Sequence, residues 1–396
     1  MKYAIVIPDG AADRPSDALG GHTPLQVARL PHMDRIAREG RLGTVRTVPE
    51  GMPPGSDVAI LSLLGYDPQA GYTGRAPLEA VARGIDLAPG DWVFRCNLVT
   101  VAEEQMVDYS AGHITTTEAE VLIQALQERL GTDALRFHAG VGYRHLVVIG
   151  SEKFRVRTTA PHDIMGKPLA KHLPKGKNAS RLVDLMQASR AVLDEHPVNK
   201  VRRDLGENPA SQIWLWGQGQ KPALRPFAER WGLRGAAIAA VDLVRGIALL
   251  VGWDVPKVEG ATGYFDTNYA GKGRAAVEAL ADHDLVVVHV EASDEAGHNG
   301  DAREKVRALE AVDREIVGPL LAAMEAQGGP WRLMVAPDHE TPLDLRTHAR
   351  GPVPFAMIGT GLAPARPGGA FTEADAAKTG MHVAVGCELM EYFLKR

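Results

Sequence analysis

Arg332-Leu-Met-Val-Ala-Pro-Asp338-His339-Glu-Thr-Pro342 runs from a short apolar segment into an acid and an imidazole. The apolar segment ends at a proline, which predicts a short buried strand. A second imidazole, His348, follows nine residues after His339. Ligands of open α/β sheets bind outside the carboxyl ends of the strands. Aspartate and histidine clustered at such an edge are typical ligands of a divalent transition metal.

The same pattern of a strand followed by an acid occurs twice more. The β-branched run Asp284-Leu-Val-Val-Val-His-Val290 precedes Asp294 and His298, and Tyr3-Ala-Ile-Val-Ile7 precedes Asp9. Any one of these acids could instead cap a turn, and any one of the histidines could be an ordinary surface residue. Three strand ends with metal-type ligands favour one sheet with a metal site at its edge. We therefore expect Asp9 and Asp338 to lie within roughly 8 Å, since ligand bonds to a shared ion are near 2 Å.

The segment Gly55-Ser56-Asp57 precedes an apolar helical run. A serine there is a favoured helix N-cap, and in that role its replacement by alanine would cost about 1 kcal/mol. A hydroxyl at a helix N-terminus also lies where phosphate binds well. With a metal or a base to activate it, the same serine would be a nucleophile. The sequence leaves both roles open.

Composition limits the class of protein. At 396 residues, with 45% hydrophobic and 23% charged residues, the chain is expected to form two globular domains. A net charge of −5 gives no reason to expect nucleic acid or an anionic membrane as a partner. Two cysteines suit a reducing compartment, and the N-terminal residues run directly into a predicted strand, not into a signal peptide. These features predict a cytoplasmic enzyme; they say nothing about its oligomeric state.

Composition also changes between residues 72 and 233. Strand-like runs (Val93 to Val99, His145 to Ile149) alternate there with long helical patterns (Thr117 to Leu130, Ser180 to Glu195), and none of the strands leads into an aspartate. We predict a discontinuous metal-binding domain of residues 1–71 and 234–396 and an inserted α+β domain of residues 72–233. The lysine-rich segment Lys171 to Lys177 is expected to be flexible surface or a linker.

Several motifs together resemble a known family. They are Pro8-Asp9-Gly10, Gly55-Ser56-Asp57, Thr73-Gly-Arg75-Ala-Pro-Leu-Glu, Phe94-Arg95-Cys-Asn97, Gly260-Ala-Thr-Gly263, Asp294-x-x-x-His298, Pro337-Asp338-His339 and His348. The set resembles the alkaline phosphatase superfamily and, within it, the archaeal-type branch of the cofactor-independent (2,3-bisphosphoglycerate-independent) phosphoglycerate mutases. The resemblance implies an α/β fold, in which an alkaline-phosphatase-like metal-binding domain carries an inserted α+β phosphotransferase domain.

The resemblance also implies roles for individual residues. Ser56 matches the serine that is transiently phosphorylated. One divalent ion would be held by Asp9, Ser56, Asp338 and His339, and a second by Asp294, His298 and His348. Arg144, His145, His162, Asp163 and Lys272 match polar positions of the substrate cleft. Some members of the branch have an Arg-Gly-Ala-Gly turn where this chain has Trp216-Gly-Gln218-Gly219. Mixed carboxylate and imidazole ligands suit Mn²⁺ best, with Mg²⁺, Co²⁺ or Zn²⁺ as alternatives.

The implied activity is interconversion of 3-phosphoglycerate and 2-phosphoglycerate in glycolysis and gluconeogenesis. A mutase must keep water away from its phosphorylated intermediate, and an inserted domain could exclude that water. A phosphohydrolase needs water at the same point and would have little use for such a domain. A kinase acting on a small amino acid such as homoserine would need a nucleotide site, and the sequence lacks a G-x-x-x-x-G-K-[ST] loop. Both alternatives stay open at this point, as does a metal-binding protein without catalytic activity.

Overall fold

The computed structural model describes residues 1–150, 152–362 and 369–395 of the chain. The strands in these residues are β1 (Lys2–Pro8), β2 (Arg41–Val45), β3 (Trp92–Ala102), β4 (Gln105–Asp108), β5 (Leu135–His138), β6 (Arg144–Ile149), β7 (Arg155–Arg157), β8 (Lys175–Lys177), β9 (Gln212–Gln220), β10 (Gly235–Ile238), β11 (Leu285–Val290), β12 (Trp331–Val335), β13 (Val353–Gly359) and β14 (His382–Val383).

The helices are α1 (Pro24–Val27), α2 (Pro31–Glu39), α3 (Ser56–Leu63), α4 (Pro68–Gly71), α5 (Ala76–Ala82), α6 (Thr116–Leu130), α7 (Ala179–Asp194), α8 (Pro197–Asp204), α9 (Phe227–Trp231), α10 (Asp242–Leu250), α11 (Tyr269–Asp282), α12 (Ala292–Asn299), α13 (Ala302–Val312), α14 (Gly318–Ala326), α15 (Glu373–Lys378) and α16 (Glu388–Leu394). A π-helical turn, Asp313–Val317, joins α13 to α14. Within the described residues, every helix is too short or too polar to cross a membrane.

The chain divides into two compact units. The discontinuous unit comprises Met1–Tyr72 and Ala223–Arg396, and the inserted unit comprises Thr73–Pro222. The predicted first boundary, after residue 71, differs from this division by one residue. The predicted second boundary, before residue 234, lies eleven residues after the one in this division, because α9 packs with the discontinuous unit. Phe227 donates its backbone N–H to Val251 O, and its ring packs edge-on against Trp253.

A seven-stranded sheet forms the centre of the discontinuous unit, in the order β10-β11-β1-β12-β13-β2-β14. Neighbouring strands from β10 to β12 pair in parallel, and β13 runs antiparallel to both of its neighbours. The sequence of β11 is apolar apart from His289, and all of its residues are buried. A strand covered on both faces needs such a continuous apolar run, so the sequence and the parallel sheet agree.

The predicted strand ends meet at one edge of this sheet. β1 lies between β11 and β12, with Ile5 opposite Val287 on one side and Met334 on the other. Parallel pairing places the carboxyl ends of all three strands at the same edge. The residues that follow them are therefore brought together, as the sequence predicts.

The inserted unit has a sheet and a core of its own. Its five strands are ordered β4-β3-β6-β5, with β9 paired to β3. Helix α6 begins with a capping box, in which Thr115 and Glu118 each accept the other's backbone N–H. Its buried face (Ala119, Leu122, Ile123 and Leu126) follows helical periodicity and packs in the core of this unit. This explains why the periodicity of the sequence located the helix.

Two local interpretations of the sequence are wrong. Helix α3 starts at Ser56, its N-cap is Gly55, and no side chain caps it. The hydroxyl of Ser56 is therefore free of the capping role, and the cost expected for losing a cap does not apply. The segment Lys171 to Lys177 contains exposed surface residues, as expected, but it is not a linker, because Lys175–Lys177 pairs as β8 with β7 in a two-stranded sheet.

We expect the inserted unit to fold when it is produced alone. A fragment of residues 73–222 retains the whole of its five-stranded sheet and its own apolar core, which are the usual requirements of an independent domain. Its circular dichroism should show one cooperative thermal transition. A fragment that melts gradually, or only in the presence of the discontinuous unit, would contradict this division.

Candidate metal centre

Asp9 follows β1 directly and is buried at the carboxyl edge of the sheet. The next residue, Gly10, has a φ of +58°, a left-handed conformation that favours glycine. A Cβ on Gly10 would lie 2.5 Å from Asp294 Oδ1, which is too close for any side chain. The Pro-Asp-Gly sequence thus turns the chain sharply while leaving room for the acid of the neighbouring strand.

Asp294 lies in the first turn of α12, immediately beyond β11. His298 is four residues further along the same helix, so the two side chains share a face. His298 Nε2 lies 3.2 Å from Asp294 Oδ2 and 3.0 Å from His348 Nε2. His348 Nε2 is in turn 3.6 Å from Asp294 Oδ1. Two imidazoles and a carboxylate therefore converge on one small volume.

Asp338 and His339 occupy the loop after β12 and are both buried. Asp338 Oδ1 accepts hydrogen bonds from the backbone N–H of Gly10 (3.0 Å) and of His339 (2.9 Å). Asp338 Oδ2 is also buried, and no described residue donates a hydrogen bond to it. It lies 3.3 Å from His339 Nε2. A buried carboxylate oxygen without a donor is a position that a cation would satisfy.

Ser56 faces this group from the start of α3. Its Oγ lies 3.2 Å from Asp9 Oδ2 and 3.1 Å from His339 Nε2. His339 Nε2 is also 3.4 Å from Asp9 Oδ1. The hydroxyl thus points into the cluster of acids and imidazoles, where it is available for chemistry.

The electrostatics of the cluster reflect crowded negative charge. Burial, followed by the charges of Asp338 and Asp294, raises the pKa of Asp9 well above its usual value. Burial also raises the pKa of Asp294, but the neighbouring imidazoles of His298 and His348 outweigh it and hold that pKa well below normal. Burial lowers the pKa of His339. Hydrogen bonding to Asp294 raises the pKa of His298 to about 8.

These observations fit divalent metal ions. Asp9, Asp338 and His339 offer ligand atoms within 4.8 Å of one another, and so do Asp294, His339 and His348. The expected proximity of Asp9 to Asp338 is therefore confirmed. Carboxylate oxygens with imidazole nitrogens are a donor set that such ions accept, and a positive charge would relieve the repulsion. The structure brings together Asp9, Ser56, Asp294, His298, Asp338, His339 and His348, with His339 within reach of both groups; their division between two ions stays a prediction.

Two further residues at this edge were not singled out from the sequence. His289 Nε2 lies 3.0 Å from Asp9 Oδ2, and His289 Nδ1 lies 2.9 Å from Glu291 Oε1. Burial lowers the pKa of His289, but Glu291 and Asp9 outweigh it and raise that pKa to about 10. The sequence contained a signal for this pair: a histidine inside an apolar strand is followed two residues later by an acid. Alternate residues of a strand share a face, so the two side chains could be expected to lie together.

Lys272 has partners different from those expected of a substrate-binding residue. It lies on α11 and is fully buried. Its Nζ is 3.2 Å from Glu291 Oε2 and donates to His289 O at 3.1 Å. In this structure the lysine contacts two residues next to the candidate metal ligands, and its predicted contact with substrate stays a prediction.

The other predicted substrate residues lie in the inserted unit. Arg144 is exposed at the start of β6, and the side chains of His162 and Asp163 are 51% and 66% exposed. His145 is buried; burial, with the charge of Arg83, lowers its pKa to about 3, and its Nδ1 accepts the backbone N–H of Gly140. Arg144, His162 and Asp163 are therefore accessible to a ligand, whereas His145 supports the loop before β6.

Arg95, to which the sequence assigns no role, lies among the predicted substrate residues of the inserted unit. Its guanidinium is 4.2 Å from the ring of Trp216, and the ring of His162 packs against the same indole at 5.4 Å. Burial lowers the pKa of Arg95; Glu79 opposes this, and the charges of Arg75 and Arg144 lower it further. Positive charge is thus concentrated next to Trp216, where the chain departs from the Arg-Gly-Ala-Gly pattern.

Comparison with known proteins gives consistent matches over the full length. Residues 37–199 match a family described as 2,3-bisphosphoglycerate-independent phosphoglycerate mutase. A probable enzyme of that description from Geobacter sulfurreducens is 51% identical over 400 residues, covering 100% of both chains. The enzyme of Methanothrix thermoacetophila is 51% identical over 394 residues, again covering 100% of both.

Solved structures give the same result for the fold. A Pyrococcus horikoshii protein superposes with a TM-score of 0.84 at 32% identity, covering 99% of this chain and 96% of that one. The cofactor-independent phosphoglycerate mutase of Thermoplasma acidophilum gives 0.69 at 26% identity, covering 100% and 99%. The predicted α/β fold class is confirmed by these similarities.

We predict that divalent metal stabilises the protein through this cluster. Protein treated with a chelator should melt at a lower temperature than the same protein in Mn²⁺. Ligand at a hundred times its dissociation constant adds about 2.7 kcal/mol to the free energy of unfolding. Asp338→Asn should remove most of the Mn²⁺-dependent shift, measured by scanning calorimetry. Asp344→Asn, an exposed acid of the same loop, is the control and should keep the shift. Equal shifts in both variants would contradict the site.

Proposed function

The chain belongs to the 2,3-bisphosphoglycerate-independent phosphoglycerate mutases, and from that premise we propose that it interconverts 3-phosphoglycerate and 2-phosphoglycerate through a phosphorylated Ser56. The observation that carries this proposal is the position of Ser56 Oγ, 3.2 Å from Asp9 Oδ2 and 3.1 Å from His339 Nε2. A serine used only as a helix cap would instead accept a hydrogen bond from the helix backbone. Ser56 does not cap its helix.

The chemistry requires a covalent acceptor on the protein, since no second phosphate is available from bisphosphoglycerate. In the first step Ser56 Oγ bonds to phosphorus and the bond from phosphorus to the C3 oxygen of the substrate breaks. The serine gives up its proton, and the released C3 oxygen takes one up. In the second step the C2 hydroxyl gives up its proton and bonds to phosphorus, the bond from phosphorus to Ser56 Oγ breaks, and the released serine oxygen takes up a proton. Asp9 Oδ2 is an acceptor within reach of the serine proton, because a carboxylate that binds an ion through one oxygen keeps the other oxygen free.

The two ligand groups suit a pair of divalent ions. We propose that Asp9, Ser56, Asp338 and His339 hold one ion and that Asp294, His298 and His348 hold the other, with Mn²⁺ as the best match to mixed oxygen and nitrogen donors. When bound, such ions supply positive charge beside the phosphoryl oxygens and lower the pKa of a nearby hydroxyl. The protein itself orients the serine: α3 begins at Ser56, so the rigid helix fixes the direction of its Oγ.

The inserted unit supplies the residues that suit recognition of the anionic substrate. Arg144 and His162 are accessible, and Arg95 adds a guanidinium beside them that Glu79 only partly neutralises. A planar guanidinium matches the geometry of a carboxylate or a phosphate. We propose that these cationic groups bind the carboxylate and phosphate of phosphoglycerate, with Trp216 holding the side chain of Arg95 in place.

Replacing Ser56 tests the nucleophile. Ser56→Ala should remove essentially all phosphoryl transfer and leave the melting temperature nearly unchanged, because the hydroxyl makes no cap. The measurements are a coupled assay of 2-phosphoglycerate formation and calorimetry. Ser62→Ala, a buried serine of the same helix, is the control and should stay active. A folded Ser56→Ala variant that kept more than a few per cent of wild-type turnover would exclude phospho-Ser56.

The product distribution tests the reaction class. With 3-phosphoglycerate and Mn²⁺, and without ATP or bisphosphoglycerate, we expect 2-phosphoglycerate to form much faster than inorganic phosphate, because the intermediate must be protected from water. Both products can be followed in one reaction by ³¹P NMR. Dominant phosphate release would favour a phosphohydrolase. Inactivity until ATP and an amino-acid acceptor such as homoserine were added would favour a kinase.

A further inference from the structure

The buried lysine of the discontinuous unit has an unusual environment for a cation. Lys272 is 0% exposed, and its Nζ contacts Glu291 Oε2 at 3.2 Å and His289 O at 3.1 Å. A buried ammonium is costly unless a negative charge and further hydrogen bonds compensate it. Glu291, which is 5% exposed, provides that charge. Ion pairs of this kind are weak contributors to stability, so their retention calls for another explanation.

The same carboxylate connects the lysine to the metal centre. Glu291 Oε1 lies 2.9 Å from His289 Nδ1, and His289 Nε2 lies 3.0 Å from Asp9 Oδ2. All four side chains are buried. They form a continuous row, Lys272 to Glu291 to His289 to Asp9, from helix α11 to the end of β1. Nδ1 of the imidazole is hydrogen-bonded to Glu291, whereas Nε2 contacts Asp9 Oδ2 at ion-pair distance without the geometry of a hydrogen bond.

The sheet register explains how this row forms. In the parallel pairing of β11 with β1, His289 lies opposite Ile7, and Ile7 is two residues before Asp9 in the chain. Its ring therefore reaches the acid at the end of the neighbouring strand. Glu291 comes two residues after His289, so the two side chains start from the same face of the chain. Helix α11 packs against β11 and brings Lys272 to the free oxygen of Glu291.

We propose that Lys272, Glu291 and His289 are positioning residues that fix the carboxylate of Asp9 for metal binding. A carboxylate on its own turns freely about its last side-chain bond. The ion-pair contact of Oδ2 with His289 restricts that rotation, and Oδ1 is directed towards His339, at 3.4 Å. Glu291 holds the imidazole ring in place, and Lys272 holds Glu291. Partners behind a metal ligand commonly change metal affinity about 10–100-fold. This inference rests on the metal centre of the proposed function.

Binding of Mn²⁺ to the metal-free full-length protein, measured by isothermal titration calorimetry, tests the proposal without using activity. Glu291→Gln keeps the size of the side chain but removes its charge, and His289→Gln breaks the row at a second point. Both should weaken the ion bound by Asp9 about 10–100-fold. Lys272→Met should do the same, and Lys272→Arg, which keeps the charge, should recover part of the loss.

The control variant is Arg332→Met. Arg332 is also a buried cation of this unit, but it lies at the amino end of β12 and donates to Phe393 O and Thr360 O. Its replacement should lower the melting temperature and leave Mn²⁺ affinity unchanged. Comparing it with the other variants separates lost stability from lost positioning.

The outcomes are distinguishable. If Glu291→Gln or His289→Gln folds and binds Mn²⁺ within twofold of wild type, the row is only structural and the proposal is overturned. If both variants fail to fold, Lys272→Arg and Lys272→Met decide the question. A Mn²⁺ affinity that stays the same in these two variants also overturns the proposal. If the wild-type protein itself does not bind Mn²⁺, the proposed metal centre fails, whatever the variants do.

Discussion

Repulsion among three buried carboxylates is the constraint on which this structure depends. Asp9, Asp294 and Asp338 follow three strands that lie side by side in parallel, so the sheet forces their charges together. Burial, followed by the charges of Asp338 and Asp294, raises the pKa of Asp9. Backbone N–H groups, imidazoles and the hydroxyl of Thr341 compensate part of the charge, and divalent cations would compensate the rest.

Buried lysines extend this compensation behind the site. Lys272 pairs with Glu291, and Lys305 contacts Asp13 at 2.7 Å and donates to Thr341 O at 2.8 Å. Thr341 in turn contacts both Asp294 and His339. Lys305 thus holds Thr341, which contacts two candidate metal ligands. Lys272 is linked to the candidate ligand Asp9 through Glu291 and His289. Fully buried lysines are costly to a fold, and proteins tolerate such departures mainly where function depends on them.

The inserted unit contributes a different kind of chemistry. Its own core supports a surface on which Arg95, Arg144 and His162 surround Trp216. Cationic and aromatic groups of this kind suit an organic anion, whereas the carboxylates of the discontinuous unit suit metal ions.

The sequence by itself determined the three strands that lead to the site, the two long helices of the inserted unit and the identity of the candidate ligands. These depend on apolar periodicity and on residues adjacent to strand ends, both of which are local properties. The tertiary structure decided the rest. It freed Ser56 from the capping role, because its hydroxyl meets Asp9 and His339 from distant parts of the chain. It also buried Lys272, which the resemblance assigns to the substrate cleft, and linked it to Asp9 through Glu291 and His289. Burial and the pairing of strands far apart in sequence set these roles, and neither can be read from the residues alone.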